Sequence, residues 1–185
     1  MATQLKGKRV AFLVAPEGLE QVELTSAWRA VEDAGGMPRL VSTATGTVQG
    51  NNHLTPADTF PVDDVVGEVE ASDYDALVLP GGVANPDYLR LRRGPVAFAK
   101  AFFDAGKPVA AICHAPWTLI EADVVRGRRM TSYPSLATDL RNAGAQWVDE
   151  EVVVDSSGAT TLVTSRNPGD LDAFNDKMVV AFAKD

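Results

Sequence analysis

The sequence has little of what metal centres and disulfides need. It holds a single cysteine, Cys113, and two histidines, His53 and His114. One cysteine cannot form an internal disulfide, and these three residues make a poor set of zinc ligands. We therefore expect a thiol without an intramolecular partner, no metal site and no cofactor.

Basic residues and long apolar runs are also scarce. The chain has 17 Lys and Arg against 25 Asp and Glu, a formal net charge of −8, whereas nucleic-acid binding needs clustered positive charge. The apolar run from Val10 to Ala15 is too short for a signal peptide and is followed by Pro16 and Glu17. No other run approaches membrane-spanning length. We expect no nucleic-acid partner, no membrane partner and a cytoplasmic location, where a lone thiol stays reduced.

The 185 residues, 45% of them apolar and 23% charged, are typical of one globular domain, which we expect to span 1–185. Short apolar runs alternate with amphipathic segments, a pattern that predicts an α/β fold with a mostly parallel central sheet covered on both faces. Within it, we expect a hairpin or extended excursion over Thr45–Phe60, a short helical turn in Pro61–Val69 and one strand over Trp147–Asp155.

Cys113 stands at the most informative point of the chain. The apolar run Val109–Ile112 predicts a buried strand, and Pro116 is well placed in the first turn of a following helix. Such a strand–turn–helix corner has the logic of the nucleophile elbow, with a thiol in place of a serine hydroxyl. Free N–H groups at a helix N-terminus stabilise a thiolate. The competing interpretation is an inert cysteine that fills core space.

Two backbone N–H groups are candidates for an oxyanion hole beside Cys113. One belongs to His114, and the other to Gly82 in the Pro80-Gly81-Gly82 turn that follows a third predicted strand, Tyr74–Leu79. The carboxyl ends of parallel strands meet at one sheet edge, so these turns are expected to lie together. The glycines alone are equally compatible with a simple strand-ending turn.

Acid–base partners for the thiol are less well defined by spacing. Glu20 begins a predicted helix and is the candidate acid, protonated so that it donates a hydrogen bond to sulfur; Glu17 and Glu23 compete for that role. His114 is the candidate general base, and Asp87 is a candidate group to orient it. The alternative for Asp87 is an ordinary loop acid.

Four segments together make the chain recognisable. They are A-I-C-H-A-P at 111–116, L-V-L-P-G-G at 77–82, L-E-Q-V-E-L at 19–24 and R-R-M-T-S-Y-P at 128–134. In order and separation they resemble the ThiJ/PfpI superfamily, in its PfpI-type intracellular protease branch. The resemblance covers nearly the whole chain and implies a flavodoxin-like sandwich, related to class I glutamine amidotransferase domains, that assembles as dimers or hexamers.

The resemblance also assigns roles to individual residues. It places the reactive cysteine at Cys113, its poising acid at Glu20, and the oxyanion donors at Gly82 and His114. In PfpI-like members a neighbouring subunit supplies a glutamate, in a P-E pair, that orients the histidine. Here the pair is Pro86-Asp87, with a shorter acid one residue further from the glycines. Ala115 replaces the family's usual glycine, which fits if its φ is negative.

Three functions follow from this resemblance as expectations. The first is a stress-response enzyme whose Cys113 attacks a small electrophile such as methylglyoxal, or the carbonyl adducts of a damaged protein, in a glyoxalase or deglycase reaction. The second is an intracellular cysteine peptidase, a hydrolase in which Asp87 acts across a subunit interface. The third is a redox sensor or chaperone in which Cys113 is oxidised.

Overall fold

A computed structural model describes residues 3–184. The strands are β1 (Arg9–Leu13), β2 (Glu17–Glu20), β3 (Met37–Ser42), β4 (Thr47–Asn52), β5 (Thr55–Pro61), β6 (Asp64–Val65), β7 (Ala76–Leu79), β8 (Val109–Ile112), β9 (Arg129–Met130), β10 (Gln146–Trp147), β11 (Val152–Asp155) and β12 (Leu162–Ser165). The α-helices are α1 (Gln21–Asp33), α2 (Ala84–Arg90), α3 (Arg93–Asp104), α4 (Pro116–Glu121), α5 (Ala137–Asn142) and α6 (Leu171–Phe182). Short 3-10 turns occupy Ala71–Asp73, Pro134–Leu136 and Pro168–Asp170.

Seven strands form the central sheet in the order β11-β12-β8-β7-β1-β3-β6. Every neighbouring pair is parallel except β11 with β12, which is antiparallel. The prediction of a mostly parallel sheet in an α/β fold is confirmed. Its central strands β7 and β8 are buried at every position, as expected of parallel strands covered on both faces.

Two apolar layers hold the helices to this sheet. On one face, Phe12 of β1 packs in a buried cluster with Leu24 of α1 and Phe174 of α6. On the other, Leu77 of β7 packs in a second cluster with Phe102 of α3. Successive residues of a strand point to opposite faces, so β1 and β7 supply side chains to both layers. This double burial fixes where the strand ends emerge.

A smaller sheet lies beside the first helix. The predicted excursion over Thr45–Phe60 is confirmed as the antiparallel pair β4–β5. The pair is extended by β2, which runs parallel to β4 and was not predicted, because Glu17–Glu20 has the composition of a loop. This third strand brings the β4–β5 turn close to the start of α1.

The expected helical turn in Pro61–Val69 is wrong. Asp64 and Val65 instead form β6, which pairs parallel with β3. The acidic side chains that favoured a helix are used differently: Arg39 of β3 donates two hydrogen bonds of 3.0 Å to the carboxylate of Asp64. This ion pair holds the segment at the sheet edge.

The single strand expected over Trp147–Asp155 is also wrong, because the chain changes sheets within it. Its start, β10, pairs with β9, and its end, β11, joins the central sheet. Between them, Asp149 accepts a 2.8 Å hydrogen bond from Arg166, and Glu150 accepts one from Arg129. These contacts bend the chain between the two pairings.

None of the helices among residues 3–184 is long and apolar enough to cross a membrane.

Candidate active site

Cys113 lies in the turn between β8 and α4, with a φ of +63°. This left-handed conformation is costly for a residue with a Cβ and is found mainly where surrounding contacts enforce it. Here the Cys113 N–H donates to the carbonyl of Ser165 over 3.1 Å, and the Cys113 carbonyl accepts from the N–H of Tyr133 over 2.8 Å. Ala115 has a φ of −52°, so this position does not require glycine.

The Pro80–Gly82 turn packs directly on the cysteine. A Cβ on Gly81 would meet the Cβ of Cys113 at 2.5 Å and Oε2 of Glu23 at 2.6 Å. Gly82 has a φ of +84°, and a Cβ there would meet the carbonyl oxygen of Gly18 at 2.2 Å. Only residues without a side chain allow the turn this close to Cys113.

Two backbone N–H groups, those of Gly82 and His114, donate to the Cys113 sulfur and lower its pKa. Burial acts more strongly in the opposite direction and raises the pKa of the thiol, which is 6% exposed. An ionised carboxylate at Glu23 would raise it further. After burial, the protonation state of Glu23 therefore has the largest influence on how readily the sulfur ionises.

Glu23 lies in the first turn of α1 and is fully buried. Its Oε2 accepts the Gly81 N–H over 2.8 Å. Oε1 has no nitrogen or oxygen partner among the described residues, and the carboxyl interacts with the Cys113 thiol. Burial raises the pKa of this carboxyl from 4.5 to about 8, and the nearby charge of Glu20 raises it too. At neutral pH Glu23 is therefore protonated, and it adjoins the thiol as a neutral acid.

The structure brings Glu23, and not Glu20, against Cys113, so the assignment of Glu20 as the neighbouring acid is revised. Glu20 is the extended residue that precedes α1, and its carboxylate points to the β4–β5 turn. There Oε2 accepts the His53 N–H over 3.1 Å and lies 3.7 Å from His53 Nδ1. Glu23 is one helical turn further and faces inward like Leu24. The charge of Glu20 raises the pKa of Glu23, the acid beside the thiol.

His114 is buried, and its ring bridges the sulfur and the surface. Nδ1 lies 3.1 Å from Sγ of Cys113, and Nε2 lies 3.3 Å from Oγ of Ser135. The ring stacks on Tyr133, with 4.5 Å between centroids. Burial lowers the pKa of His114, so the imidazole is neutral at pH 7 and can accept a proton.

Asp87 and His53 both lie at the surface. Asp87 is in the first turn of α2 and is exposed; among residues 3–184 the His114 ring hydrogen-bonds to Cys113 and Ser135 and not to Asp87. The side chain of His53 is 87% exposed, and its imidazole pairs with the Glu20 carboxylate rather than with the Cys113 sulfur. Within the same residues no group of three or more His, Cys, Asp or Glu side chains is placed to hold a metal ion.

Sequence reasoning missed three residues at this site. Tyr133 and Ser135 belong to the R-R-M-T-S-Y-P segment and its continuation, and their contacts with His114 depend on the bond from the Tyr133 N–H to the Cys113 carbonyl. Asn85 is buried between strand ends and gave no signal, because a lone Asn near Pro86 is usual in a turn. A buried polar residue of this kind is visible only once the packing is known.

The fold and the site define a class of cysteine-centred α/β proteins. Its features here are a mostly parallel sheet, a cysteine in a strained strand–helix turn and a buried protonated glutamate beside it. The chain belongs to the DJ-1/PfpI family, whose model matches residues 8–181.

Named relatives cover nearly all of the chain. It is 43% identical to the protein/nucleic acid deglycase 2 of Escherichia coli over 91% of this chain and 94% of that protein. It is 40% identical to general stress protein 18 of Bacillus subtilis, over 96% and 99% of the two chains. Among solved structures, Drosophila melanogaster DJ-1beta superposes with a TM-score of 0.83 at 29% identity, over 100% of this chain and 92% of that one.

Proposed function

We propose that this protein is a stress-response enzyme that uses the Cys113 thiolate to attack reactive carbonyl compounds, in a glyoxalase or deglycase reaction. One observation carries the proposal: the sulfur is contacted by two N–H donors and by a carboxyl that keeps its proton below about pH 8. A protonated Glu23 that donates to sulfur favours the thiolate, the form that attacks electrophiles.

The first step forms a bond from sulfur to the aldehyde carbon of methylglyoxal. As the S–C bond forms, the π electrons of the carbonyl move to its oxygen, where the N–H groups of Gly82 and His114 stabilise the new charge. One such donor is worth about 3 kcal/mol in measured enzymes. Protonation of that oxygen gives a hemithioacetal.

His114 then moves a proton within this intermediate. Its neutral imidazole, 3.1 Å from Sγ, takes the proton from the former aldehyde carbon and returns it to the neighbouring carbonyl carbon. The product is a thioester of lactate. Water hydrolyses it to lactate and regenerates the thiol, so the sum is methylglyoxal plus water to lactate, with no external oxidant. Adducts of the same aldehyde on a damaged protein present the same carbon to the sulfur.

The names of the relatives support this choice of chemistry and setting. One is named a deglycase and one a general stress protein. The proposal includes a cytoplasmic location and a homo-oligomer, a dimer or hexamer, in which Asp87 of one copy orients His114 of the next. Exposure of Asp87 in α2 makes it available for that contact. Sedimentation of the wild type and of an Asp87→Ala variant, combined with their activities, tests this part.

Replacement of the thiol tests the function itself. We expect Cys113→Ala to abolish conversion of methylglyoxal to lactate while the variant remains folded, because Cys113 is small and the change removes one atom. Ser165→Ala is the matched control, since Ser165 is buried beside the same turn and its Oγ has no partner among the described residues. Ser165→Ala should keep the wild-type rate; a Cys113→Ala variant that converts methylglyoxal at the wild-type rate would contradict the proposal.

The peptidase alternative is separated by a second substrate. Wild-type protein is expected to release lactate from methylglyoxal and to leave a fluorogenic peptide amide intact at the same enzyme concentration. Cleavage of the peptide that depends on Cys113 and Asp87, without lactate formation, would instead identify a cysteine peptidase.

A further inference from the structure

Asn85 is a fully buried polar side chain at the carboxyl ends of two strands. Its Oδ1 accepts the N–H of Ala15, just beyond β1, over 2.7 Å. Its Nδ2 donates to the carbonyls of Pro80 and Gly81 over 2.9 and 3.0 Å. One side chain thus ties the turn after β7 to the end of β1.

The two carbonyls that Asn85 holds belong to the two peptide units that serve the site. A trans peptide is planar, and its C=O and N–H point in opposite directions. The carbonyl of Pro80 shares its plane with the N–H of Gly81, which donates to Glu23. The carbonyl of Gly81 shares its plane with the N–H of Gly82, which donates to the Cys113 sulfur.

Two consecutive glycines do not hold such an arrangement unaided. Glycine populates a wide range of φ and ψ, and Gly82 adopts a φ of +84° that carries no steric preference by itself. Either peptide plane is free to rotate unless its carbonyl is fixed. In this protein the amide of Asn85 holds both carbonyls from the side opposite the sulfur. The Glu20 N–H adds a longer bond of 3.3 Å to the carbonyl of Gly81, so Asn85 is the shorter contact at Gly81.

We propose that Asn85 is a positioning residue that aims the N–H groups of Gly81 and Gly82 at Glu23 and Cys113. This inference rests on the proposed function in one respect, because that function makes use of the N–H groups of Gly81 and Gly82. The side chain of Asn85 forms its hydrogen bonds with Ala15, Pro80 and Gly81 and not with the Cys113 sulfur. Its effect on the reaction passes entirely through the orientation of two peptide planes.

The test compares Asn85→Asp with Ser42→Ala. The aspartate keeps the shape and an acceptor for the Ala15 N–H but donates at most one hydrogen bond, so it repels at least one carbonyl. Ser42 is a matched control: it is fully buried at the same sheet edge, and its hydroxyl donates to the Val14 carbonyl over 2.9 Å rather than to the Pro80–Gly82 turn. Both variants lose a buried hydrogen bond and are expected to unfold at lower denaturant concentration.

Only the Asn85 variant is expected to change the thiol. The pH midpoint for alkylation of Cys113 by iodoacetamide should rise, and kcat for methylglyoxal should fall by on the order of 10²-fold, with a smaller change in KM. Ser42→Ala should leave the midpoint at the wild-type value. An Asn85→Asp midpoint equal to that of Ser42→Ala would overturn the inference.

A second measurement uses the wild-type protein and so does not depend on whether a variant folds. In nuclear magnetic resonance spectra, the Nδ2 protons of Asn85 are expected to exchange slowly with solvent and to shift when Cys113 is alkylated. Rapid exchange would contradict a fixed amide. Alkylation measures the reactivity of the thiol and does not require turnover of methylglyoxal. If the wild type did not convert methylglyoxal, the proposed function would be rejected. The alkylation midpoint of Asn85→Asp would still decide this inference.

Discussion

Glu23 and Cys113 meet across Gly81: a Cβ on that glycine would lie 2.6 Å from the carboxyl of one and 2.5 Å from the Cβ of the other. An acid and a thiol this close, both buried, cannot both carry a charge at modest cost. The chemistry of the pair therefore depends on which of the two groups, the Glu23 carboxyl or the Cys113 thiol, carries a proton. Burial raises the pKa of Glu23 to about 8, which assigns a proton to the carboxyl in neutral solution.

A first prediction concerns Gly81→Ala. The added methyl group meets Cys113, Glu23 and the Ile112 carbonyl within 2.9 Å, so the backbone must shift. We expect a loss of about 1–3 kcal/mol in the free energy of unfolding and a fall of at least tenfold, as an order-of-magnitude estimate, in the alkylation rate of Cys113. Gly94→Ala is the control, since its nearest neighbour is Val66 at 3.2 Å. Equal alkylation rates in the two variants would contradict the prediction.

The second prediction uses the pH dependence of stability. Glu23 has a pKa of about 8 when folded and 4.5 in its reference state, so between these values the folded chain holds a proton that the unfolded chain has lost. Its contribution to stability is complete below about pH 4.5 and is lost as the pH rises to about 8.

Glu23→Gln removes this titration. Urea unfolding of both proteins from pH 5 to pH 8 should show the wild type losing stability relative to the variant by up to about 1.4 kcal/mol per pH unit. The difference between the two proteins cancels the titration of other groups. Parallel stability curves would show that Glu23 titrates near its ordinary pKa.

A third prediction concerns the outer nitrogen of His114. Ser135→Ala removes the group 3.3 Å from Nε2 and leaves ring orientation to stacking on Tyr133. Because Ser135 is exposed, we expect the free energy of unfolding to change by less than about 0.5 kcal/mol. Turnover of methylglyoxal should fall by roughly threefold to tenfold. Ser72→Ala, at another exposed serine, should leave turnover unchanged; an equal rate in both variants would remove Ser135 from the site.

The fold was predictable because its signals are local. Val109–Ile112 and the run before Pro80 have the composition of buried parallel strands, and the glycines that follow predict turns at one sheet edge. The errors arose where tertiary pairing decided the structure. Asp64 forms an edge strand through Arg39, and Asp149 and Glu150 bend the chain between two sheets.

The site was predictable down to the cysteine and its N–H donors, and not beyond. Glu20 and Glu23 both lie near the start of α1, and choosing between them requires the exact residue at which β2 gives way to the helix. Asn85 shows the same limit in another form. It occupies the position that places Pro86-Asp87 one residue further from the glycines, and only the packed structure shows its bonds to the turn.

The most direct test of the account is the direction of one change in rate. In Glu23→Leu, the donor that we assign to the protonated carboxyl is removed, and an apolar side chain of similar size takes its place. At pH 7, where Glu23 is protonated, the rate of alkylation of Cys113 by iodoacetamide is expected to fall below the wild-type value. A rate that rises would show that Glu23 is ionised beside the thiol and opposes its ionisation, and it would contradict the account.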